Sequence, residues 1–162
     1  MVAAPTTVRE PALTVDPRGA VADTARRFWE ALIRGDARSL DALVDFPFTW
    51  DAKCRLLATR AEMDASIAKW GTTPNVRLGQ AREVTRDQLG DREARSFDKL
   101  AAEGGCEDDL AASTMQAEAA RLDRRYVLVD LLVDNDSVPT VTRVGRRHGT
   151  PTTAWRVTGL DN

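Results

Sequence analysis

The residues best suited to chemistry are a carboxylate and a phenol within one apolar strand. Residues 126–133 read YVLVDLLV, and their alternation places Tyr126 and Asp130 on the same face. A carboxylate shielded from water can accept and release protons near neutral pH, so a cavity lined by this face would make Asp130 a proton-transfer base. Tyr126 would then donate a hydrogen bond to the substrate. These two are the candidate catalytic residues.

The alternative to a catalytic role for Asp130 is a structural one. Arg143 and Arg156 lie on strands predicted to be its neighbours, and a cross-strand ion pair with either would neutralise the carboxylate. Of the two interpretations, we expect the ion pair. Arg143, Arg146 and Arg147 have the charge to bind an anion, but three charges on a hairpin are more often a solvated face, and we expect the latter.

Three tryptophans are candidates to line a ligand pocket together with Tyr126 and Asp130. Trp29, Trp50 and Trp155 each lie on the apolar face of a predicted element, where packing in the core is the ordinary role of an aromatic ring. We expect Trp50 and Trp155 to reach a pocket most readily.

Metal and disulfide chemistry have little support in the sequence. The chain has one histidine, His148, and two cysteines, Cys54 and Cys106, which form no CxxC pair. Pairing of the two cysteines depends on geometry that the sequence does not show, so it stays open. His148 lies in the turn RRHGTP and is expected to be exposed. We predict no metal site and no cofactor.

The composition is that of one globular domain. The 162 residues, 43% hydrophobic and 30% charged, suffice for one sizeable core. A net charge of -2 lacks the basic footprint of a nucleic-acid-binding protein. No apolar run reaches the length of a membrane helix, about 18 residues. We therefore expect neither nucleic acid nor a membrane as partner. The cytoplasm is the default location, and an exported protein without its signal peptide is the alternative.

A single domain over residues 19–162 is predicted to follow a flexible arm at residues 1–18, which has no apolar periodicity. The first helix of the domain carries apolar residues at helical spacing and ends at Gly35, which can adopt the left-handed conformation of a C-cap. A second apolar stripe over residues 40–44 is predicted to be helical, and Pro47 to end the helical structure.

A hairpin and a third helix are predicted next. Residues 48–56 alternate between apolar and polar types, which puts Thr49 on the polar side. Thr59 and Glu62 form a capping box that begins a helix. Residues 76–84 are predicted to form a strand, and a helical insertion is predicted to follow it.

The C-terminal third changes to a period of two, which predicts a three-stranded meander over residues 126–133, 138–144 and 152–158. Helices first and strands later indicate an α+β fold, in which a curved antiparallel sheet forms a cone covered on one face by the N-terminal helices. The residues predicted to fill its core are Phe28, Leu32, Leu40, Leu43, Phe48, Ile67, Phe97, Val129, Leu131 and Trp155.

The order of these elements resembles the nuclear transport factor two-like superfamily, also called the SnoaL-like or cystatin-like group. Gly35 and Asp36 stand at the break that follows the first helix of that group, and residues 155–157, Trp-Arg-Val, stand at its last strand. The resemblance extends over about residues 20–160. The chain departs from the pattern at Ala52, where a hairpin glycine is expected, and over residues 76–122, which are longer and more helical than a minimal member needs.

The resemblance implies a cone whose mouth admits a small apolar molecule. Members of the group include isomerases, cyclases, dehydratases and non-catalytic domains, so the fold does not choose the activity. We expect a non-catalytic domain that has an apolar pocket and binds a small molecule or forms a homodimer through its sheet. The alternative is a cofactor-independent isomerase or dehydratase that uses Asp130 as its base.

Overall fold

Three helices and six strands make up the described part of the chain. The computed structural model describes residues 19–50, 55–70, 75–85, 87–89, 117–118, 120–147, 149 and 154–161. The elements are α1 (Ala20–Arg34), α2 (Ala37–Leu43), β1 (Val44–Trp50), β2 (Arg55–Leu57), α3 (Arg60–Trp70), β3 (Val76–Val84), β4 (Leu122–Val133), β5 (Asp136–Arg147) and β6 (Arg156–Asp161). The predicted arm, Phe97 and most of the predicted insertion lie outside the described residues.

The ends of α1 and α2 follow local capping rules. Gly35 ends α1 with a φ of 66°, as predicted, and its N–H donates to the carbonyl of Leu32 at 3.1 Å. Asp36 begins α2 and accepts hydrogen bonds from the Ser39 N–H at 3.1 Å and from Ser39 Oγ at 2.7 Å. These bonds lower the pKa of the Asp36 carboxyl below its ordinary value.

The second helix ends earlier than predicted. It stops at Leu43, and β1 already begins at Val44, three residues before Pro47. The reason is a pairing distant in sequence, because Val44 lies opposite Val157 of β6. Strand pairing, and not the proline, therefore ends the helical structure here.

The predicted capping box begins α3. The Glu62 N–H donates to Thr59 Oγ1 at 3.3 Å, and the Thr59 N–H donates to Glu62 Oε2 at 3.4 Å. This start places Met63 and Ile67, one turn apart, in the core with 2% and 4% of their surface exposed. The helix thereby joins α1 and α2 over the same side of the sheet.

The strands form one curved, unclosed sheet in the order β2-β1-β6-β5-β4-β3. Every contact between neighbours is antiparallel except that of β1 with β6, which run parallel. The curved sheet predicted from the sequence is confirmed, and this one parallel contact makes it mixed. The C-terminal meander is confirmed as well, because β4, β5 and β6 are consecutive neighbours.

The hairpin of β4 and β5 is the longest pairing in the sheet. A two-residue turn closes it at Asp134 and Asn135, whose φ angles are 50° and 71°, next to the pair of Val133 with Asp136. Both strands extend beyond the predicted limits, since Leu122 is already paired with Arg147 at the open end.

The helices cover one face of the sheet, here called the inner face, which on β4 carries Val127, Val129 and Leu131. The opposite or outer face carries Tyr126, Leu128 and Asp130, as the strand alternation requires. The predicted core residues within the described chain are buried, with 0–7% of their surface exposed: Phe28, Leu32, Leu40, Leu43, Phe48, Ile67, Val129, Leu131 and Trp155.

Candidate functional site

A buried ion pair occupies the outer face beside Tyr126. Arg143 lies directly opposite Tyr126 across β4 and β5 and is 0% exposed. Its Nη1 donates to Glu118 Oε2 at 2.7 Å, and its Nη2 donates to Thr49 Oγ1. Glu118 comes from the helical turn just before β4 and is 4% exposed. Because a charge in a protein interior needs a partner, this pair fixes the turn against the sheet.

The path of the Arg143 side chain depends on a glycine. Gly159 of β6 lies between Arg143 on β5 and Thr49 on β1, and a Cβ at position 159 would overlap Arg143 Nη2 and lie 2.7 Å from the Thr49 carbonyl oxygen. A side chain on this strand position would therefore block the guanidinium. Because Gly159 has no side chain, the Arg143 side chain crosses β6 and reaches Thr49 of β1.

Two predictions about these residues are wrong. Arg143 was expected on a solvated hairpin face together with Arg146 and Arg147, but only Arg147 is exposed, and Arg143 is fully enclosed. Thr49 was expected on the polar side of its strand, but it is 2% exposed. The partners that bury these side chains are distant in sequence: Arg143 binds Glu118 and Thr49, and Thr49 lies beside β6 with its Oγ1 3.5 Å from the Thr158 carbonyl oxygen.

A groove of about 580 Å³ opens at the end of the sheet where β3 stops and β4 starts. Its volume falls within the usual range for small-molecule sites. Apolar surface comes from Val84 and the Tyr126 ring, and the polar groups are those of Glu83, Thr85, Gln88, Arg124 and Arg125. The lining of this groove is therefore mixed, whereas the sequence predicted an apolar pocket.

Hydrogen bonds hold the wall of the groove in place. Thr85 and Gln88 form a reciprocal capping box, with the Thr85 N–H donating to Gln88 Oε1 at 2.8 Å and the Gln88 N–H donating to Thr85 Oγ1 at 3.2 Å. Arg124, which lines the groove, lies 3.9 Å from Glu118 of the buried ion pair. The capping box thus fixes the positions of Thr85 and Gln88 relative to each other.

Asp130 and Tyr126 share a face, as predicted, but they are not adjacent. Leu128 stands between them, and four residues of a strand span roughly 13 Å. This face is the outer one, opposite α1. Asp130 pairs with Pro139 in the strand register and makes no ion pair within the described part of the chain.

The expected ion pair of Asp130 with Arg143 or Arg156 does not form. Arg143 turns instead to Glu118 and Thr49, and Arg156 Nη1 donates to the Ala42 carbonyl at 3.3 Å. The cause is the register, which places Arg143 opposite Tyr126 and leaves Asp130 beyond its reach.

The tryptophans predicted to line a pocket have separate positions. Trp29 of α1 is 2% exposed, and its Nε1 donates to Thr142 Oγ1 at 2.8 Å in the inner core. Trp155 is 7% exposed and lies beneath two arginines, with the guanidinium carbon of Arg146 4.1 Å and that of Arg125 5.5 Å from its ring centroid. The side chain of Trp50 lies outside the described part.

His148 and both cysteines lie outside the described residues. Among the residues that are described, no cluster of three or more histidine, cysteine, aspartate or glutamate side chains could hold a metal ion. None of the described helices has the length and apolarity needed to cross a bilayer.

The residues that sequence reasoning missed are Glu118, Thr49 and Gly159. Glu118 stands in an alanine-rich segment without a motif, and no local pattern links Thr49 to a residue almost a hundred positions away. One signal was available, since an isolated glycine within a strand often marks a close approach of another group.

Two solved structures align with most of this chain. A domain of unknown function with a cystatin-like fold from Nostoc punctiforme aligns over 88% of this chain and 74% of its own, with a TM-score of 0.50 and 13% identity. An NTF2-like protein of unknown function in nutrient uptake from Rhodospirillum rubrum aligns over 86% of this chain and 93% of its own, with a TM-score of 0.42 and 14% identity.

No protein-family model matches the sequence, and no curated protein matches it significantly. At 13% identity the first of these structures bears on the fold alone. The resemblance predicted from the sequence is confirmed at that level. The chain therefore has an α+β fold similar to the cystatin-like fold of the domain from Nostoc punctiforme.

Proposed function

We propose that this chain is a non-catalytic domain that binds a small amphipathic molecule in the groove at the ends of β3 and β4. The observation that carries the proposal is the combination in one groove of an apolar strip, Val84 and Tyr126, with fixed hydrogen-bonding groups. Ligand sites in proteins combine apolar surface with a few placed polar groups in this way.

The packing of the aromatic wall of the groove supports binding. The Tyr126 side chain packs in a small apolar cluster on the outer face of the sheet, here called the outer cluster. Its other members are Val84, Leu89, Leu128 and Val141. A wall that is already ordered costs little conformational entropy when a ligand binds.

The geometry favours binding over catalysis. A base and the donor that stabilises the developing charge must both reach the few atoms that react, whereas Asp130 and Tyr126 stand roughly 13 Å apart on their strand. Asp130 and Tyr126 therefore do not form the pair that the isomerase or dehydratase alternative requires. Dimer formation through the sheet stays a prediction.

The test uses 2-naphthol as a neutral amphipathic probe. Titration followed by ¹⁵N-resolved NMR should shift the backbone signals of Val84, Gln88 and Tyr126. Tyr126→Leu keeps an apolar side chain for the outer cluster but removes the aromatic face, so it should weaken binding at least fivefold. Val138→Ala, at a 42% exposed valine of the same hairpin, is the matched control and should leave binding unchanged.

Two outcomes would contradict the proposal. Shifts confined to residues outside the groove would show that the probe binds elsewhere. Equal affinity of the wild type and Tyr126→Leu, with both proteins folded, would show that the aromatic wall is not used.

A further inference from the structure

Two side chains of the groove retain hydrogen-bond donors that no described residue accepts. In the capping box, the side-chain oxygens of Thr85 and Gln88 each accept a hydrogen bond from the backbone N–H of the other residue. The box leaves the amide NH₂ group of Gln88 and the hydroxyl hydrogen of Thr85. Neither side chain forms another hydrogen bond within the described part of the chain. Both residues are exposed and line the groove, so these donors are open to a ligand.

The charged side chains of the groove contact charged partners in the protein. Arg125 donates to Glu83 Oε1 at 2.5 Å, and both lie toward the inner face, since Glu83 is opposite Val127 in the strand register. Arg124 lies 3.9 Å from Glu118 of the buried ion pair. The capping box therefore supplies uncharged donors beside these ion pairs.

The apolar strip of the groove lies next to the capping box. Val84 is opposite Tyr126 in the strand register, and Leu89, which directly follows Gln88, packs with both in the outer cluster. A ligand that covers the Tyr126 ring therefore lies beside Gln88. Its polar group meets an N–H donor there, because the oxygen of the Gln88 amide already accepts from Thr85.

We propose that the groove selects apolar molecules that carry a hydrogen-bond acceptor, and that Gln88 determines this preference. The NH₂ group of Gln88 donates to the acceptor, while the Tyr126 ring covers the apolar part of the ligand. A ligand whose polar group can only donate would leave this NH₂ group without an acceptor. The preference rests on the proposed binding function of the groove and specifies its ligands.

The test compares 2-acetylnaphthalene with 2-isopropenylnaphthalene. The two probes have nearly the same shape, but the carbonyl oxygen of the first is replaced by a CH₂ group in the second. Each is titrated into the wild type and into Gln88→Glu, and the backbone signals of Val84 and Tyr126 are followed by ¹⁵N-resolved NMR. Glutamate forms the same capping box with Thr85, but its carboxylate, ionised at pH 7, has no hydrogen to donate.

The variant should lose affinity for one probe only. We expect Gln88→Glu to weaken binding of 2-acetylnaphthalene about threefold or more, and to change binding of 2-isopropenylnaphthalene less than about twofold. Comparison of the two changes cancels the difference in hydrophobicity between the probes. Because the capping box is kept, Gln88→Glu should melt at nearly the same temperature as the wild type.

The matched control is Gln80→Glu. It introduces the same carboxylate at an exposed residue of β3 that does not line the groove, so both affinities should stay within about twofold of the wild type. A loss of 2-acetylnaphthalene binding in this variant as large as that in Gln88→Glu would show that added charge alone causes the effect, and it would overturn the role of Gln88.

Other outcomes separate this preference from the function on which it rests. If 2-naphthol shifts the groove signals but 2-acetylnaphthalene binds the wild type and Gln88→Glu equally, the preference is wrong and the binding function stands. An equal loss of affinity for both naphthalene probes in Gln88→Glu would show a general change of the groove and would also overturn the preference. If none of the three compounds shifts the groove signals, the proposed function fails, and the preference fails with it.

Discussion

Arg143 and Glu118 form an enclosed ion pair, with Nη1 of the arginine 2.7 Å from Oε2 of the glutamate and no more than 6% of either side chain exposed. This contact joins the middle of β5 to the turn before β4 on the outer face. Because both side chains are enclosed, the ion pair compensates the two buried charges, and Thr49 accepts a further hydrogen bond from Arg143.

Removal of the glutamate should therefore be costly. Glu118→Ala leaves the Arg143 guanidinium enclosed without its carboxylate, and we expect a loss of about 3–5 kcal/mol in the free energy of unfolding. The double variant Glu118→Leu with Arg143→Met, which removes both charges, should recover most of that loss. Urea unfolding of the wild type, Glu118→Ala and the double variant measures these free energies of unfolding. A loss below 1 kcal/mol for Glu118→Ala would show that the pair is not needed.

Gly159 should not tolerate even one methyl group. We expect Gly159→Ala to lower the free energy of unfolding by about 1–3 kcal/mol, because its Cβ would collide with Arg143 and with the Thr49 backbone. In an Arg143→Met background the penalty should be smaller, and a double-mutant cycle measures the difference. Equal penalties in both backgrounds would contradict the path described for the arginine.

Asp130→Asn should have little effect on stability. The ion pair expected from the sequence would have made this change costly, but Asp130 has no ionic partner among the described residues. We expect a change within about 0.5 kcal/mol in thermal unfolding, as for other substitutions away from buried networks. Binding of 2-naphthol should also be unchanged. A loss of affinity with preserved stability would reopen a functional role for this carboxylate.

Asp36 should contribute a pH-dependent increment to stability. Hydrogen bonds from Ser39 lower its pKa in the folded state, so its stabilising effect is present above the unfolded-state value of about 3.9. The effect is lost as the pH falls through the lower folded-state pKa. Asp36→Asn keeps a cap acceptor that does not titrate. Between pH 5 and pH 2 the wild type should therefore lose more stability than the variant, and parallel curves would contradict this.

Local features of the fold were predictable because neighbouring residues determine them. The cap at Gly35 and the box of Thr59 with Glu62 each involve side chains within one helical turn. The alternation of β4 likewise assigned Tyr126 and Asp130 to one face. The sequence did not show which of the two faces the helices cover, because both carry large apolar residues.

The buried ion pair could not be predicted for a different reason. Arg143 looked like a surface residue because it stands near other arginines and a turn, and enclosing such a charge is usually unfavourable. Its burial depends on Glu118, Thr49 and Gly159, which three separate segments contribute. Those segments meet only after the register of β6 between β1 and β5 is known.

The position of β6 at the centre of the sheet has a consequence for synthesis of the chain on the ribosome. β1 is made more than a hundred residues before β6, yet β6 is the strand that joins it to β5. Until residues 156–161 emerge, β1 and β5 each present an unpaired edge, and such edges promote association between chains. The sheet is thus completed only at the end of synthesis of the chain. A nascent chain paused before Arg156 should be sensitive to proteases and should bind chaperones, whereas the completed chain should not.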